Sequence, residues 1–169
     1  PKQLGSILSE GISQFNKGFS GKSIAIDTSD FFYGERKIGI GSSAAVSVAL
    51  TKALNKLLDL RLTSKAMINY SRQIHSRSQD SLGSGFDVIA SFLKERALSC
   101  QLYGHESYKH ERILLPEEIK IFAVVNNACS QTSQMINKYE AAKKKYKDYF
   151  SNHAPKMKSE LDCLHDAIL

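Results

Sequence analysis

The spacing of apolar positions divides the chain into helical and extended segments. Leu4, Ile7, Leu8 and Ile12 recur at helical intervals within the first twenty residues. Residues 23–27 alternate instead, with Ile24 and Ile26 on one face, as in a strand that exits through the polar residues 28–30. Phe31, Phe32 and Tyr33 begin a further extended piece, with core packing as the simplest role and a ligand-lining role as the alternative. From residue 38 the chain reads IGIGSSAAVSVALTKALNKLLDL, two glycines followed by an unbroken series of small and apolar residues. No helix breaker occurs between residues 42 and 60, so the series predicts a helix over 43–58, buried on a wide face against a sheet or other helices. Ala44, Ala45 and Ala49 suit close approach of a neighbouring backbone.

A second helix is expected over 63–79, with Ala66, Ile68, Tyr70 and Ile74 as its apolar surface and Thr63 or Ser64 as its cap. The segment SLGSGFD, residues 81–87, interrupts the pattern, and 88–93 resumes it as a short helix. Residues 97–103 and 110–115 read as strands. Pro116 marks a boundary, since proline donates no amide hydrogen and restricts the residue before it. IKIFAVV, residues 119–125, is β-branched and apolar between polar flanks and predicts a buried strand. Helices are expected over 132–150, with Met135, Ile136, Tyr139 and Ala142 on one side, and over 154–169, with Met157, Leu161, Leu164 and Ile168 in step.

A chain of 169 residues with 42% hydrophobic content can bury a sizeable core, which excludes wholesale disorder. Its formal charge of +6 favours anionic partners without naming one. No apolar run is long enough to cross a bilayer and the N-terminus lacks a secretion signal's apolar core, so the expected setting is soluble and cytoplasmic, without a membrane partner. Cys100, Cys129 and Cys163 are odd in number and widely spaced, as free thiols in a reducing compartment would be. His105, His110, His153 and His165 form no metal-ligand spacing with them. Lys143, Lys144, Lys145 and Lys147 suit a solvated helix face, and no nucleic-acid motif accompanies them.

Candidate chemistry lies in two glycine-rich turns. Gly39-Ile40-Gly41-Ser42-Ser43-Ala44-Ala45 combines residues that let a backbone approach an anion, the start of a helix, and hydroxyls suited to phosphate oxygens or magnesium. The same residues also suit a plain turn and helix cap. The run is neither a P-loop, since no Gly-Lys-Ser/Thr ends it, nor a dinucleotide fingerprint, since no suitable acidic residue follows. Gly83-Ser84-Gly85-Phe86-Asp87 is the second turn, and its carboxylate can orient an attacking group, accept a proton or help place magnesium; it can equally cap a helix. Two anion-friendly turns that each feed a helix suggest a shared phosphate site.

The stretch from Lys37 to Ala45 resembles the ATP-binding signature of the GHMP kinases, with Lys37 in place of the usual proline and Ile40 in place of leucine. Phosphomevalonate kinases, one branch of that family, read Lys-Thr-Gly-Leu-Gly-Ser-Ser-Ala-Ala there. His75, Gln79 and residues 83–87 are similar to that branch's His-x-x-Ala-Gln-x-x-x-Gly-Ser-Gly-Phe-Asp pattern, with Ser78 replacing the alanine. Residues 130–138 are similar to a serine- and threonine-rich turn and the helix after it, so the resemblance spans about residues 22–150.

The resemblance implies transfer of the ATP γ-phosphoryl group to a small phosphorylated metabolite, 5-phosphomevalonate in the closest branch, with ATP and Mg2+ as cofactors. Mevalonate kinase or another GHMP kinase is the second enzyme reading, and a non-catalytic nucleotide-binding or assembly protein is the third. Lys37, Gly39, Gly41, Ser42, Ser43 and Ala44 would hold the nucleotide, Ser43 would also ligate the metal, Ser84 and Gly85 would face the substrate, and Asp87 would be the catalytic carboxylate. His75, though part of the pattern, is as a lone helical histidine more simply structural. The implied fold is α+β, a ribosomal protein S5 domain 2-like portion over 1–115, then the start of a ferredoxin-like C-terminal domain over 116–169. The family's N-terminal lysine and its C-terminal glycine-rich loop have no counterpart here, so the expectation is part of a longer enzyme, whose activity this part need not carry alone.

Overall fold

The computed structural model describes residues 2–15, 23–79, 83–95, 97–103, 107–122 and 132–168. They fall into two compact units, one made by residues up to Glu95 together with Phe122 and the other by residues 97–121 and 132–168. Helices and two small antiparallel sheets make the class α+β. No helix among the described residues is long and apolar enough to cross a membrane.

In the first unit, helix α1 (Lys2–Phe15) precedes a short 3-10 turn (Ser29–Phe31) and the two-residue strands β1 (Phe32–Tyr33) and β2 (Arg36–Lys37). Helices α2 (Ser42–Leu57), α3 (Ser64–Arg77) and α4 (Phe86–Leu93) follow. α2 is the central element. Its Val46, Leu50 and Leu54 join Ile7 of α1 and Ile74 of α3 in one core cluster, while Ala44 and Val48 meet Val88 of α4, with Phe92 alongside, in a second. Each such fully buried aliphatic side chain contributes about 1.5–3 kcal/mol relative to exposure. The buried hydroxyls on α2 do not oppose this burial, because Ser47 and Thr51 each donate to the carbonyl four residues back, on Ser43 and Ser47, at 2.9 Å.

The approach of α1 to α2 depends on Gly11. A β-carbon there would stand 2.6 Å from Leu50 Cδ2, inside van der Waals contact. α3 opens on Thr63, whose hydroxyl accepts from the Ala66 N–H at 3.2 Å, the role expected of Thr63 or Ser64.

Several expectations need correction. Residues 23–28 carry no strand, although Ile24 and Ile26 do pack against the first core cluster as their alternation requires. Of the two partners expected for α2, a sheet or other helices, the described residues supply helices, α1, α3 and α4. Phe32 and Tyr33 form a hairpin strand and are exposed, 41% and 79%, so they are not core residues. Ala49, expected at a close backbone approach, faces outward.

In the second unit β3 (Leu98–Tyr103) pairs antiparallel with β4 (Ser107–Arg112), from Leu98 opposite Arg112 to Tyr103 opposite Ser107. The later strand thus begins three residues before the expected 110, because the pairing is set by the short connection between Tyr103 and Ser107. The expected buried strand over 119–125 is absent where it is described. Ile119, Ile121 and Phe122 are 51%, 78% and 84% exposed, and no described strand pairs with them. An apolar run becomes a buried strand only where a neighbouring ladder accepts its backbone groups. Residues 123–131 lie outside the described residues.

Helix α5 (Thr132–Lys145) and helix α6 (Lys147–Ile168) divide at Tyr146, not between residues 150 and 154. The backbone bonds of Tyr146 to Ala142 and of Phe150 to Tyr146 carry the chain across that point. Tyr149 stacks on His153 at 4.0 Å and Phe150 meets Tyr139 edge-on at 5.5 Å, so residues 147–153 have local reasons to be helical. Pro155 sits inside α6, where it removes one donor without ending the helix. The lysines 143, 144, 145 and 147 are exposed. Cys100 and Cys163 form no disulfide among the described residues, and Cys129 lies outside them.

Candidate functional site

The first glycine-rich turn is positioned by the β1–β2 hairpin, from which the Ile38 N–H reaches back to the Phe31 carbonyl at 2.9 Å. Gly39 has φ 84° and Gly41, the residue before α2, has φ 81°. A side chain in this left-handed region costs about 1–2 kcal/mol, so glycine is required by the dihedrals. A β-carbon at either position would meet nothing within 4 Å, which leaves the backbone of the turn open to a ligand. The helical ladder begins with the Ala45 N–H on the Gly41 carbonyl at 3.1 Å, so the amides before it have no partner inside the helix. No side chain caps them. The positive end of the helix dipole adds to their pull on an anion.

Four side chains from three helices converge beside this start. His75 and Gln79, at the end of α3, lie on one helix face by their spacing of four. The Ser43 hydroxyl is 3.1 Å from His75 Nε2, the Gln79 side-chain amide is 3.0 Å from the same ring nitrogen and 3.3 Å from Ser43 Oγ, and Asp87 Oδ2 is 3.6 Å from it. The other Asp87 oxygen accepts from the Val88 N–H at 2.9 Å. Asp87 therefore does act at the start of α4, while half its side chain remains exposed to a ligand.

Burial pushes the His75 pKa below its usual value, and the Asp87 carboxylate opposes that shift without cancelling it. A neutral imidazole has one ring nitrogen that donates and one that accepts. With Nε2 as acceptor, Ser43 and the Gln79 amide donate to it. With Nε2 protonated, it donates toward Ser43 or Asp87, and Gln79 turns its oxygen inward. The two states differ by one ring proton and one amide rotation, and the oxygen and nitrogen of that amide are assigned by the hydrogen-bond network.

The residues singled out from sequence are distributed unevenly around this cluster. Ser43 and Asp87 are brought together on His75. Ser42 is 6% exposed and Ala44 is wholly buried in the second core cluster, so what they give the turn is helix position and not accessible side chains. Lys37 is exposed on β2, and Ser84 is exposed in the second turn. Gly85, at φ 80°, precedes α4 as Gly41 precedes α2.

Gln79 was quoted from sequence only as part of a pattern, and Arg72 not at all. Arg72, His75 and Gln79 share one face of the α3 region by spacings of three and four, a signal that was legible. Arg72 is 8% exposed, and its Nε and Nη1 are buried without a hydrogen-bond partner.

The residues present fit a magnesium-bound polyphosphate. The turn offers open glycine backbone and helix amides without intrahelical partners, and the Ser43 hydroxyl and Asp87 carboxylate, both within 3.6 Å of His75 Nε2, are hard oxygen donors of the type that magnesium takes. No curated protein and no solved structure matches the chain. The sequence model of the GHMP kinases N terminal domain matches residues 9–95, just over half of the chain and a span that includes both glycine-rich turns and all four converging side chains. With the two turns, the convergent cluster and that match together, the chain belongs to the GHMP kinases.

Proposed function

We propose that this GHMP kinase transfers the γ-phosphoryl group of ATP to 5-phosphomevalonate, giving 5-diphosphomevalonate and ADP. The observation that carries the proposal is the convergence of Ser43, His75, Gln79 and Asp87 beside the open start of α2, since His75, Gln79 and Asp87 are the residues whose pattern is similar to the phosphomevalonate branch. Family membership gives the coarser statement, a small-molecule phosphotransferase using ATP, generally with Mg2+. The acceptor is the finer, proposed part. The same proposal takes residues 116–169 as the beginning of a ferredoxin-like domain.

In this reaction an oxygen of the acceptor's phosphate forms a bond to the γ-phosphorus as the bond to the β,γ-bridging oxygen breaks, and ADP leaves with that electron pair. An acceptor phosphate is already largely ionised near neutral pH, so little deprotonation is needed. Asp87 then acts mainly by placing charge and metal, and the amides at the start of α2 and the Ser43 hydroxyl receive the nucleotide phosphates. Magnesium, when bound, neutralises phosphate charge there. His75 and Gln79 hold Ser43 and Asp87 in register and act as positioning residues.

The test is magnesium-dependent ADP release by the full-length parent protein with 5-phosphomevalonate, with mevalonate and with no acceptor, alongside an Asp87→Ala control. Release that requires 5-phosphomevalonate and is lost in the control supports the proposal. Release with mevalonate alone moves the assignment to mevalonate kinase. ATP binding without release in any arm rejects this reaction and favours a binding protein.

A further inference from the structure

Among the described residues of the first unit Arg72 is the one charged side chain that is buried, at 8% exposure, and its Nε and Nη1 have no hydrogen-bond partner. A guanidinium cannot escape burial by losing its proton, as a lysine or histidine can, so its charge has to be met by an anion. None of the ion pairs among the described residues includes Arg72. The nearby carboxylate, Asp87, faces His75 instead.

The side chain is aimed at a specific place. A β-carbon on Gly85 would stand 2.9 Å from Arg72 Nε and 3.4 Å from its Cγ, so the arginine lies directly against the backbone that opens α4. Gly85 holds φ 80° and no side chain caps the helix. The Val88 N–H is taken by Asp87 and the Ile89 N–H by the Gly85 carbonyl, which leaves the amides of Phe86 and Asp87 as the helix's donors without a partner among the described residues. A helix start and an unmatched guanidinium thus bear on the same turn from two sides. Glycine at 85 is required twice, by its dihedral and by the arginine.

We infer that Arg72 and the start of α4 form an oxyanion subsite, which takes the negatively charged end of the phosphoryl acceptor, a carboxylate or a phosphate. That the anion belongs to the acceptor rests on the kinase reading above; the subsite itself does not. Its place next to Asp87 sets the acceptor's charged end beside the carboxylate that orients the reacting group. The arginine confers affinity for charge, whereas the open turn before α2 serves the nucleotide.

Titration of the protein with inorganic phosphate and, separately, with mevalonate distinguishes the two anions, because mevalonate carries a carboxylate and no phosphate. The wild type is expected to bind at least one, and Arg72→Gln to bind it about tenfold or more weakly, the size of a charge-assisted hydrogen bond. Arg72→Lys should recover part of that loss, and MgATP affinity should be unchanged in both. Gly85→Ala, which keeps the charge but displaces it, is the second probe where Arg72→Gln does not fold, and it should weaken the same anion. In turnover the Arg72→Gln defect should fall on the acceptor KM more than on kcat. Anion binding that is equal in wild type and Arg72→Gln, or absent from the wild type, overturns the subsite. Anion binding lost in Arg72→Gln from a protein that transfers no phosphoryl group leaves the subsite standing and removes the kinase reading. Transfer with an unchanged acceptor KM in Arg72→Gln does the reverse.

Discussion

Ser43 Oγ lies 3.1 Å from His75 Nε2, so the first turn of α2 and the last turn of α3 meet through one hydroxyl and one buried ring nitrogen. The ring's burial has a direct consequence for pH. Its folded pKa lies below the ordinary histidine value of 6.5, so in the interval between them the unfolded chain binds a proton that the folded one does not. Stability therefore rises with pH through that interval. Thermal melting should be flat above about pH 7 and fall from there toward about pH 5, and His75→Gln should show a shallower slope over the same range.

Asp87→Asn keeps the shape of the side chain and an oxygen for the Val88 N–H while removing the charge. Turnover should drop by about 10²–10⁴-fold, the range of a positioned acid–base or charge-placing group, with melting temperature nearly unchanged. Turnover within a few-fold of wild type would remove Asp87 from the reaction.

Gly41→Ala isolates the backbone demand of the first turn, since φ is 81° and the new methyl meets nothing within 4 Å. A loss of about 1–2 kcal/mol in denaturant unfolding is expected from the dihedral alone. MgATP affinity should fall as well, because the methyl stands where the open backbone receives phosphate.

Gly11→Ala presents the opposite case, with ordinary helical backbone but a methyl 2.6 Å from Leu50 Cδ2. Alanine gains about 1 kcal/mol in helix propensity, and overpacking a filled core costs about 1–3 kcal/mol. Leu50 is 3% exposed and tied into the first core cluster, so it has little room to turn away. Net destabilisation in denaturant unfolding is expected.

Thr63→Ala should cost about 1 kcal/mol, since it removes the oxygen that accepts from the Ala66 N–H. His75 and Gln79 sit at the far end of the same helix. Loss of the cap should therefore lower stability with less effect on turnover than any change at Asp87.

The helices around the site were legible because their signals are local. The unbroken run after Gly41 and the threonine before Ser64 place α2 and α3 within a residue or two of where they stand. Asp87 was legible for the same reason, as the acidic end of a glycine turn. The strand expected over 119–125 does not form over 119–122, the part that is described, because burial of Ile121 and Phe122 depends on partners that composition does not reveal. The α5–α6 division falls at Tyr146 and not between residues 150 and 154, because apolar spacing does not register the aromatic contacts of Tyr149 and Phe150 that hold residues 147–153 in the helix. Arg72 was overlooked because a charged residue on a helix is ordinarily wet. Only tertiary packing turns it inward.

The seam between Gly11 and Leu50 makes α2 a lever. From Leu50 to Ser43 is seven residues, about 10 Å of helix axis, so a tilt of about 5° pivoted at the seam carries the Ser43 hydroxyl sideways by about 1 Å. A misplacement of that size can cost about 100-fold in rate. The methyl group that a single substitution adds to α1 therefore reaches phosphoryl transfer through leverage, from a residue whose contact with α2 lies at Leu50, two turns below the hydroxyl.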